Sequence, residues 1–327
     1  MLPKFSYVRP NTLENSISQL QAEGAALHAG GTDLLGCLRE KIIHSEILVS
    51  ISGLNELSGI RETAGGELRI GALTTITEIG ESQLIKEKYP GLALAAAEVA
   101  SPQLRNQGTI GGNLCQKPRC WYYRGEFDCL RKGGDKCFAL NGENQFHAIF
   151  GHDFICAITH PSDTAPILVA LDAEVLVTGP QGERTIVVAD LHVLPADNVQ
   201  AETVLDRGEI ITHIRIPPPP RGLYTSYRKI RARQSWDFAL AGAALALTME
   251  GGRVSRAAVV LSGAAPIPWR SREAEQALTG KPLSGETIAA AAQAAVADAK
   301  PLRANDYKIA MFRGMLEEEL HKARTAA

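Results

Sequence analysis

The sequence lacks three features that would place it in a broad class at once. No apolar run approaches the ~20 residues of a membrane-spanning helix. Neither sign of charge is in excess: 34 Lys and Arg against 36 Asp and Glu leave −2, so no overall field attracts nucleic acid. The first ten residues, MLPKFSYVRP, lack the apolar stretch of a secretory signal. We therefore expect no membrane span, no nucleic-acid partner and a cytoplasmic location, or a periplasmic one if a partner subunit carries an export signal for both.

The common nucleotide-binding motifs are also missing. Neither G-x-G-x-x-G nor G-x-x-x-x-G-K-S/T occurs. Two other glycine turns are present, HAGGTDLL at 28–35 and GTIGGN at 108–113. A strand that ends in glycines before a helix leaves backbone N–H groups pointing at one spot, which suits a pyrophosphate. Either turn alone is compatible with a plain strand–turn–helix corner, but the pair favours a dinucleotide held by another fold.

Cysteine is scarce, with six in 327 residues, yet five of them lie between positions 115 and 156. A disulfide, a zinc site and an iron–sulfur cluster are the three interpretations. Disulfides are rare in a reducing cytoplasm. Structural zinc sites usually draw on C-x2–4-C pairs, whereas here the gaps after Cys120 and Cys129 are eight and seven residues. A [4Fe–4S] cluster needs only four thiolates on a loop that can wrap it, so this chemistry favours a cluster and leaves zinc open.

One short motif is strongly basic. YRKIRAR places Lys229, Arg231 and Arg233 on one face of a predicted strand, since side chains alternate with period two. With a near-neutral chain, a solvated face or a cation beside an anionic cofactor is favoured over a nucleic-acid groove. Three histidines near the cysteines are expected to be surface or structural residues rather than ligands: His147, His152 and His160.

The PPPPRG run at 217–222 predicts a domain boundary, because four prolines cannot continue a strand or a helix. Three strand-like runs follow it, and three helix-like runs close the chain. Strands followed by helices predict a separate α+β domain.

Four stretches, taken in order, carry a family resemblance: AGGTDLL, QLRNQGTIGGNL, HPSDTAPILVALDAEV and YRKIRARQSWDFALAG. They resemble the FAD-binding subunit of the molybdenum hydroxylases, which include xanthine dehydrogenases, carbon monoxide dehydrogenases and aldehyde oxidoreductases. The cysteine-rich insert is similar to one that binds [4Fe–4S] in 4-hydroxybenzoyl-CoA reductase and in certain bacterial aldehyde oxidoreductases. RCWYYR, GENQFHAIFG and CAITHPSD resemble the aldehyde oxidoreductase version more closely.

The resemblance implies an α+β fold of the vanillyl-alcohol-oxidase (PCMH-like) type, with FAD between two subdomains. These would span 1–55 and 56–216, the latter including the iron–sulfur insert at 115–156. The proline linker at 217–222 and a C-terminal α+β domain at 223–327 would complete the chain.

The resemblance also implies the site residues. FAD would be bound by Ala29, Gly30, Gly31, Thr32, Asp33, Leu34, Leu35, Ala100, Ser101, Thr109, Gly111, Gly112, Asn113, Asp163, Ile211 and Lys229. Within this set, residues 29–35 would wrap the pyrophosphate and Lys229 would lie close to the isoalloxazine. The cluster ligands would be Cys120, Cys129, Cys137 and Cys156. Cys37 and Cys115 would be buried thiols near the flavin that do not bind the cluster.

The resemblance implies that the chain is an electron-transfer subunit of a heteromeric molybdenum hydroxylase and carries FAD and one [4Fe–4S] cluster. Among the reactions of this family, it favours aldehyde oxidation. Its partners would be a molybdopterin-binding large subunit, a [2Fe–2S] small subunit and an external electron acceptor. This chain would have no catalytic residue for substrate chemistry. The alternatives are a 4-hydroxybenzoyl-CoA reductase-type subunit and, in another class, a zinc-stapled nucleotide-binding regulator.

Overall fold

The first of three β-sheets is formed by the N-terminal 50 residues of the computed structural model, which describes residues 1–234 and 236–326. Its elements are β1 (Ser6–Val8), α1 (Leu13–Leu20), β2 (Ala25–His28), α2 (Leu34–Arg39) and β3 (Ile47–Ser50). The sheet is parallel, with β3 in the middle. Helix α1 begins where the Thr12 hydroxyl accepts a hydrogen bond from the Asn15 N–H at 3.2 Å, and it packs Leu20 against β3.

The second sheet has five antiparallel strands in the order β4-β5-β8-β6-β7. Its strands are β4 (Ile60–Glu62), β5 (Leu68–Gly71), β6 (Glu174–Gly179), β7 (Gly182–Val187) and β8 (Ile210–Ile216). Between β5 and β6 lie α3 (Ile76–Glu81), α4 (Gln83–Lys88), α5 (Pro90–Ala97), α6 (Pro102–Arg105), α7 (Ile110–Leu114), α8 (Trp121–Arg124) and α9 (Thr164–Ala170). The helices α5 and α9 consist largely of apolar residues, and most of these side chains are buried in the core of this sheet.

The third sheet is antiparallel and comprises β9 (Leu223–Ile230), β10 (Ala241–Glu250), β11 (Arg253–Ser262) and β12 (Trp269–Arg270). The helices α10 (Arg272–Leu278), α11 (Gly285–Ala294) and α12 (Tyr307–Ala326) follow it. Alternate residues of β10 point to opposite faces. Ala244 and Ala246 join the core of the second sheet, while Leu245 and Leu247 join a core with the three helices. The third sheet is therefore buried on both faces and shares one core with the preceding domain.

The cysteine-rich insert joins α7 to α9 and has little regular structure besides α8 and two 3-10 turns, Leu130–Lys132 and Phe138–Leu140. Its last third is bound to the C-terminal domain. The Asn144 side chain accepts the Ala304 N–H at 2.9 Å, and the amide of Asn305 donates to the His147 carbonyl at 3.1 Å. The buried Lys308 ammonium donates to the carbonyls of Phe146 and His147 in the insert, and to that of Gly263 just after β11.

The predicted strand and helix runs after the proline stretch are confirmed. One local prediction is wrong: β9 ends at Ile230, so Arg231 and Arg233 do not lie on a strand with Lys229. The predicted domain bounds stay a prediction, and residue 327 lies outside the described residues. No helix in the described part of the chain is both long enough and apolar enough to cross a bilayer.

Candidate flavin and iron–sulfur sites

The two glycine turns lie directly against each other. A Cβ added to Gly30, in the turn after β2, would sit 2.0 Å from the carbonyl oxygen of Gln107, just before the second turn. A Cβ added to Gly31, which has φ of +72°, would lie 2.7 Å from Nε2 of His28. Only glycine fits at either position. The structure thus brings the two predicted turns to one place. Thr32 is exposed beside them, and Ala29 packs on the hydrophobic core of the first sheet.

The start of α2 lies at the same place. Leu34 and Leu35 form its first turn and are partly exposed. The Leu35 N–H donates to the Gly31 carbonyl at 3.1 Å. The first turn of this helix is therefore continuous with the glycine turn, and partly exposed backbone and side chains line the surface there.

The second turn is held by its own side chains. Thr109 accepts the Gly112 N–H at 3.3 Å as the N-cap of α7. The Asn113 amide oxygen accepts the hydroxyl of Thr164 at 2.7 Å and that of Ser162. Gly111 fits closely, since a Cβ there would lie 3.0 Å from Cβ of Ala72. With its oxygen bound in this way, Asn113 is left with its N–H groups to offer to a ligand.

Asp163 and Lys229, predicted as separate cofactor contacts, form a buried ion pair. Their side chains are 5% and 1% exposed, and Lys229 Nζ lies 2.8 Å from Asp163 Oδ2. The Tyr227 hydroxyl donates to the other carboxylate oxygen at 2.7 Å, and Lys229 also donates to the Glu98 carbonyl at 3.1 Å. Burial raises the pKa of Asp163, against the opposing effect of Lys229. The ammonium is therefore compensated within the protein.

Ala100 and Ser101 lie at the end of the segment that Lys229 contacts. Ala100 has φ of +44°, an uncommon conformation for a residue with a side chain, and its carbonyl accepts the Trp236 N–H at 3.3 Å. Ser101 is the N-cap of α6 and accepts the Leu104 N–H at 3.4 Å. Both are partly exposed, as a cofactor wall requires. Ile211, by contrast, is buried at 5% exposure in the core of the second sheet.

Asp33 has a role that sequence reasoning missed. Its carboxylate accepts the Lys117 N–H at 2.7 Å and contacts the guanidinium groups of Arg119 at 3.0 Å and Arg124 at 2.8 Å. All three donors belong to the cysteine insert. Asp33 is therefore an anchor that fixes the insert to the first glycine turn, and these two arginines are paired with it.

The four predicted ligand cysteines line one cavity, which His147 and Arg131 also line. Arg131 is neutralised by Glu202, whose carboxylate accepts its Nη2–H at 2.8 Å. The two bystander cysteines, Cys37 and Cys115, do not line it. Among residues 1–234 and 236–326, no group of three or more His, Cys, Asp or Glu side chains is arranged to hold a metal ion.

Backbone N–H groups point at the cavity thiols. The backbone N–H groups of Tyr122 and Tyr123 favour a lower pKa for Cys120, those of Ala139, Leu140 and Ala157 do so for Cys137, and that of Ile158 does so for Cys156. Cys137 is also hydrogen-bonded to Cys156, and this bond is the main cause of its lowered pKa. Burial raises the pKa of Cys120 to about 11 and that of Cys115 to about 12. Four cysteine sulfurs on one cavity with amide N–H groups beside them are the ligand type and the surroundings that iron–sulfur clusters require, so the residue types present fit such a group.

His147 is a second residue that the sequence did not single out as functional. It is 4% exposed, and its Nε2 lies 3.2 Å from the sulfur of Cys120. Burial lowers the pKa of His147 to about 4, with a further contribution from the Lys308 ammonium. Sequence carries no sign of this contact, because the two residues lie 27 positions apart and the loop between them has no regular period.

Two family comparisons cover nearly the whole chain. The family described as FAD binding domain in molybdopterin dehydrogenase matches residues 3–219, and the CO dehydrogenase flavoprotein C-terminal domain matches residues 225–323. The chain belongs to the FAD-binding subunits of the molybdenum hydroxylases. This confirms the predicted family, the oxidoreductase class and the FAD-binding fold followed by a C-terminal domain of strands and then helices.

Individual relatives agree over their full length. The chain is 36% identical to the aldehyde oxidoreductase FAD-binding subunit PaoB of Escherichia coli, over 99% of both chains. It is 30% identical to the carbon monoxide dehydrogenase medium chain of Hydrogenophaga pseudoflava, over 98% of this chain and 97% of that one. The solved structure of carbon monoxide dehydrogenase from Hydrogenophaga pseudoflava superimposes with a TM-score of 0.79 at 30% identity, covering 99% and 98% of the chains. These relatives are oxidoreductase subunits, and none of them is a zinc-stapled regulator.

Proposed function

We propose that this molybdenum hydroxylase subunit holds FAD and one [4Fe–4S] cluster and transfers electrons within a heteromeric complex that oxidises aldehydes. The molybdopterin and [2Fe–2S] centres would be on separate subunits, and an external acceptor would receive the electrons. The aldehyde assignment is supported by the similarity to PaoB and by the resemblance of the insert.

The observation that carries the cluster proposal is the cavity with four cysteines and converging amide donors. Cys120, Cys129, Cys137 and Cys156 would hold the cluster, which supplies one-electron redox chemistry when bound. A single zinc ion is the alternative, and it would need each of the four sulfurs at about 2.3 Å. The described residues contain no group of side chains placed in that way. Cys37 and Cys115 remain buried thiols outside the ligand set.

The adjoining glycine turns support the placement of FAD at residues 29–35 and 100–113. Their side-chain-free backbone and the amide of Asn113 would bind the cofactor, which supplies the redox chemistry between the partner centres and the acceptor. The Asp163–Lys229 pair would position the surrounding backbone through Glu98, since neither side chain is open to solvent.

Metal and flavin analysis of the anaerobically purified chain tests both cofactors. We expect about one FAD and about four irons per chain, with little zinc. Stoichiometric zinc without iron would refute the cluster, and absence of flavin would refute the FAD site.

Activity measurements test the role in the complex. We expect the chain alone to show no aldehyde oxidation with a dye acceptor, and activity to appear only with both partner subunits. Preferred reduction of an aromatic CoA thioester by the complex would favour the 4-hydroxybenzoyl-CoA reductase alternative instead. The location of the complex, cytoplasmic or, with an exported partner, periplasmic, can be determined by cell fractionation.

A further inference from the structure

We propose that His147 donates a hydrogen bond to the sulfur of Cys120 and thereby raises the reduction potential of the centre that this cysteine holds. This inference rests on the proposed cluster. His147 would act as a positioning residue, since it touches a ligand sulfur and is not itself one of the four ligands.

The geometry fixes which ring nitrogen carries the proton. Nε2 of His147 lies 3.2 Å from the Cys120 sulfur, whereas Nδ1 is buried and forms no hydrogen bond of normal geometry among the described residues, although the Asn144 carbonyl lies close to the ring. A thiolate can only accept a hydrogen bond. A hydrogen bond to an ionised sulfur is stronger than a poorly aligned one to a neutral carbonyl. The neutral ring therefore carries its proton on Nε2 when Cys120 is a thiolate, because the other tautomer would leave the thiolate without this donor.

The ring is held in this position from two sides. The carbonyl of His147 accepts from the Lys308 ammonium at 3.0 Å and from the Asn305 amide at 3.1 Å, both in the C-terminal domain. On the insert side, the ring packs on Trp121 and Tyr122, with centroid distances of 5.9 and 6.1 Å. The donor is therefore preorganised, and it comes from a segment 27 positions beyond the cysteine.

The expected effect follows from charge. A donor to a ligand sulfur stabilises the more negative, reduced state of a cluster more than the oxidised state, which raises the potential. Backbone N–H groups beside the cavity thiols cannot be removed by substitution. His147 is a side-chain donor, so its contribution can be measured.

The test uses the full chain with its cofactors and two variants. His147→Phe keeps a planar ring and removes the donor, whereas His147→Gln keeps an N–H near the position of Nε2. His152→Phe is the control, because His152 is a buried histidine of the same insert whose Nε2 contacts the Lys300 carbonyl at 2.8 Å and no cysteine. Iron content and the midpoint potential, followed by the paramagnetic signal of the reduced cluster, are the readouts.

We expect full iron in all three variants, a lower potential in His147→Phe, a potential near wild type in His147→Gln and no shift in the control. Loss of iron in His147→Phe with retention in His147→Gln also supports the proposal, since the donor is the main difference. An unchanged potential in an iron-replete His147→Phe chain would overturn it, as would equal iron loss in both His147 variants. A wild-type chain without iron would instead refute the proposed cluster.

Discussion

Asp33 shows how much a single side chain can differ from its sequence interpretation. It follows the two glycines of the first turn, where the family resemblance implies a contact with the pyrophosphate. In the structure its carboxylate binds the Arg119 and Arg124 guanidinium groups and the Lys117 N–H. Such charge-assisted hydrogen bonds contribute more than neutral ones when partly buried. At the residue scale, Asp33 therefore links the flavin turn to the insert.

Asp33→Asn should weaken this link. We expect the free energy of unfolding to fall by about 1–3 kcal/mol, because two partly buried guanidinium groups lose their anionic partner. Glu40→Gln is the matched control, since Glu40 contacts the same Arg124 at 3.4 Å but is 40% exposed, and exposed pairs contribute about 0–1 kcal/mol. Denaturant unfolding measures both. Equal effects of the two substitutions would contradict the anchoring role.

Two cysteines of the same insert should respond differently to substitution. Cys120→Ser is expected to lose most of the iron of the proposed cluster, because a serine hydroxyl is a far poorer ligand than a thiolate and metal binding is coupled to local folding. Cys115→Ser should retain the iron, since Cys115 does not line the cysteine cavity. Iron analysis decides. Retained iron in Cys120→Ser together with its loss in Cys115→Ser would show that the ligand assignment is wrong.

At the element scale, the two glycine turns form one surface only because neither carries a side chain where they meet. This makes the approach of β2–α2 to α6–α7 sensitive to a single methyl group. By contrast, a Cβ added to Gly314, in the interior of α12, would meet no atom within 4 Å.

Gly30→Ala should separate the turns, because its Cβ would overlap the Gln107 carbonyl oxygen at 2.0 Å. We expect at least a tenfold loss of FAD affinity, equivalent to about 1.4 kcal/mol. Gly314→Ala should keep FAD affinity and stabilise the chain by about 0.5–1 kcal/mol, since alanine favours helix interiors. Flavin titration of the apoprotein and thermal unfolding measure the two effects. Wild-type FAD affinity in Gly30→Ala would mean that this contact does not form part of the site.

At the scale of the whole molecule, buried neutral histidines make stability depend on pH. Burial lowers the pKa of His192 to about 4, and that of His160, whose ring packs on His192 at 4.1 Å, lies well below its usual value. Below pH ~6.5 the unfolded chain binds protons that the folded chain does not. Stability is therefore unaffected by His192 above pH ~6.5 and falls as the pH decreases from there toward 4.

Each such histidine contributes a slope of up to about 1.4 kcal/mol per pH unit in that window. His192→Gln should flatten the pH dependence, whereas His44→Gln should leave it unchanged, since the His44 side chain is 79% exposed. Free energies of unfolding at pH 7, 6 and 5 provide the comparison. An identical slope in wild type and His192→Gln would show that His192 does not titrate in this way.

The sequence by itself determined the fold class, the family and the position of the two turns. These depend on local patterns: the apolar strand-like runs of β10 and β11, the helix-like runs after residue 271, and glycines where a strand meets a helix. Such patterns are physical properties of a few neighbouring residues, so they can be recognised without the rest of the chain.

Only the tertiary structure decided the contacts between distant segments. Asp33 meets Arg124 across 91 positions, and Lys229 meets Asp163 across 66, in each case because separate elements pack together. His147 reaches Cys120 because the C-terminal Asn305 and Lys308 hold its backbone. An irregular loop has no period to reveal which of its side chains converge, and each charge here has several possible partners in the sequence. Packing selects one of them, since a buried charge without its partner would be too costly to keep.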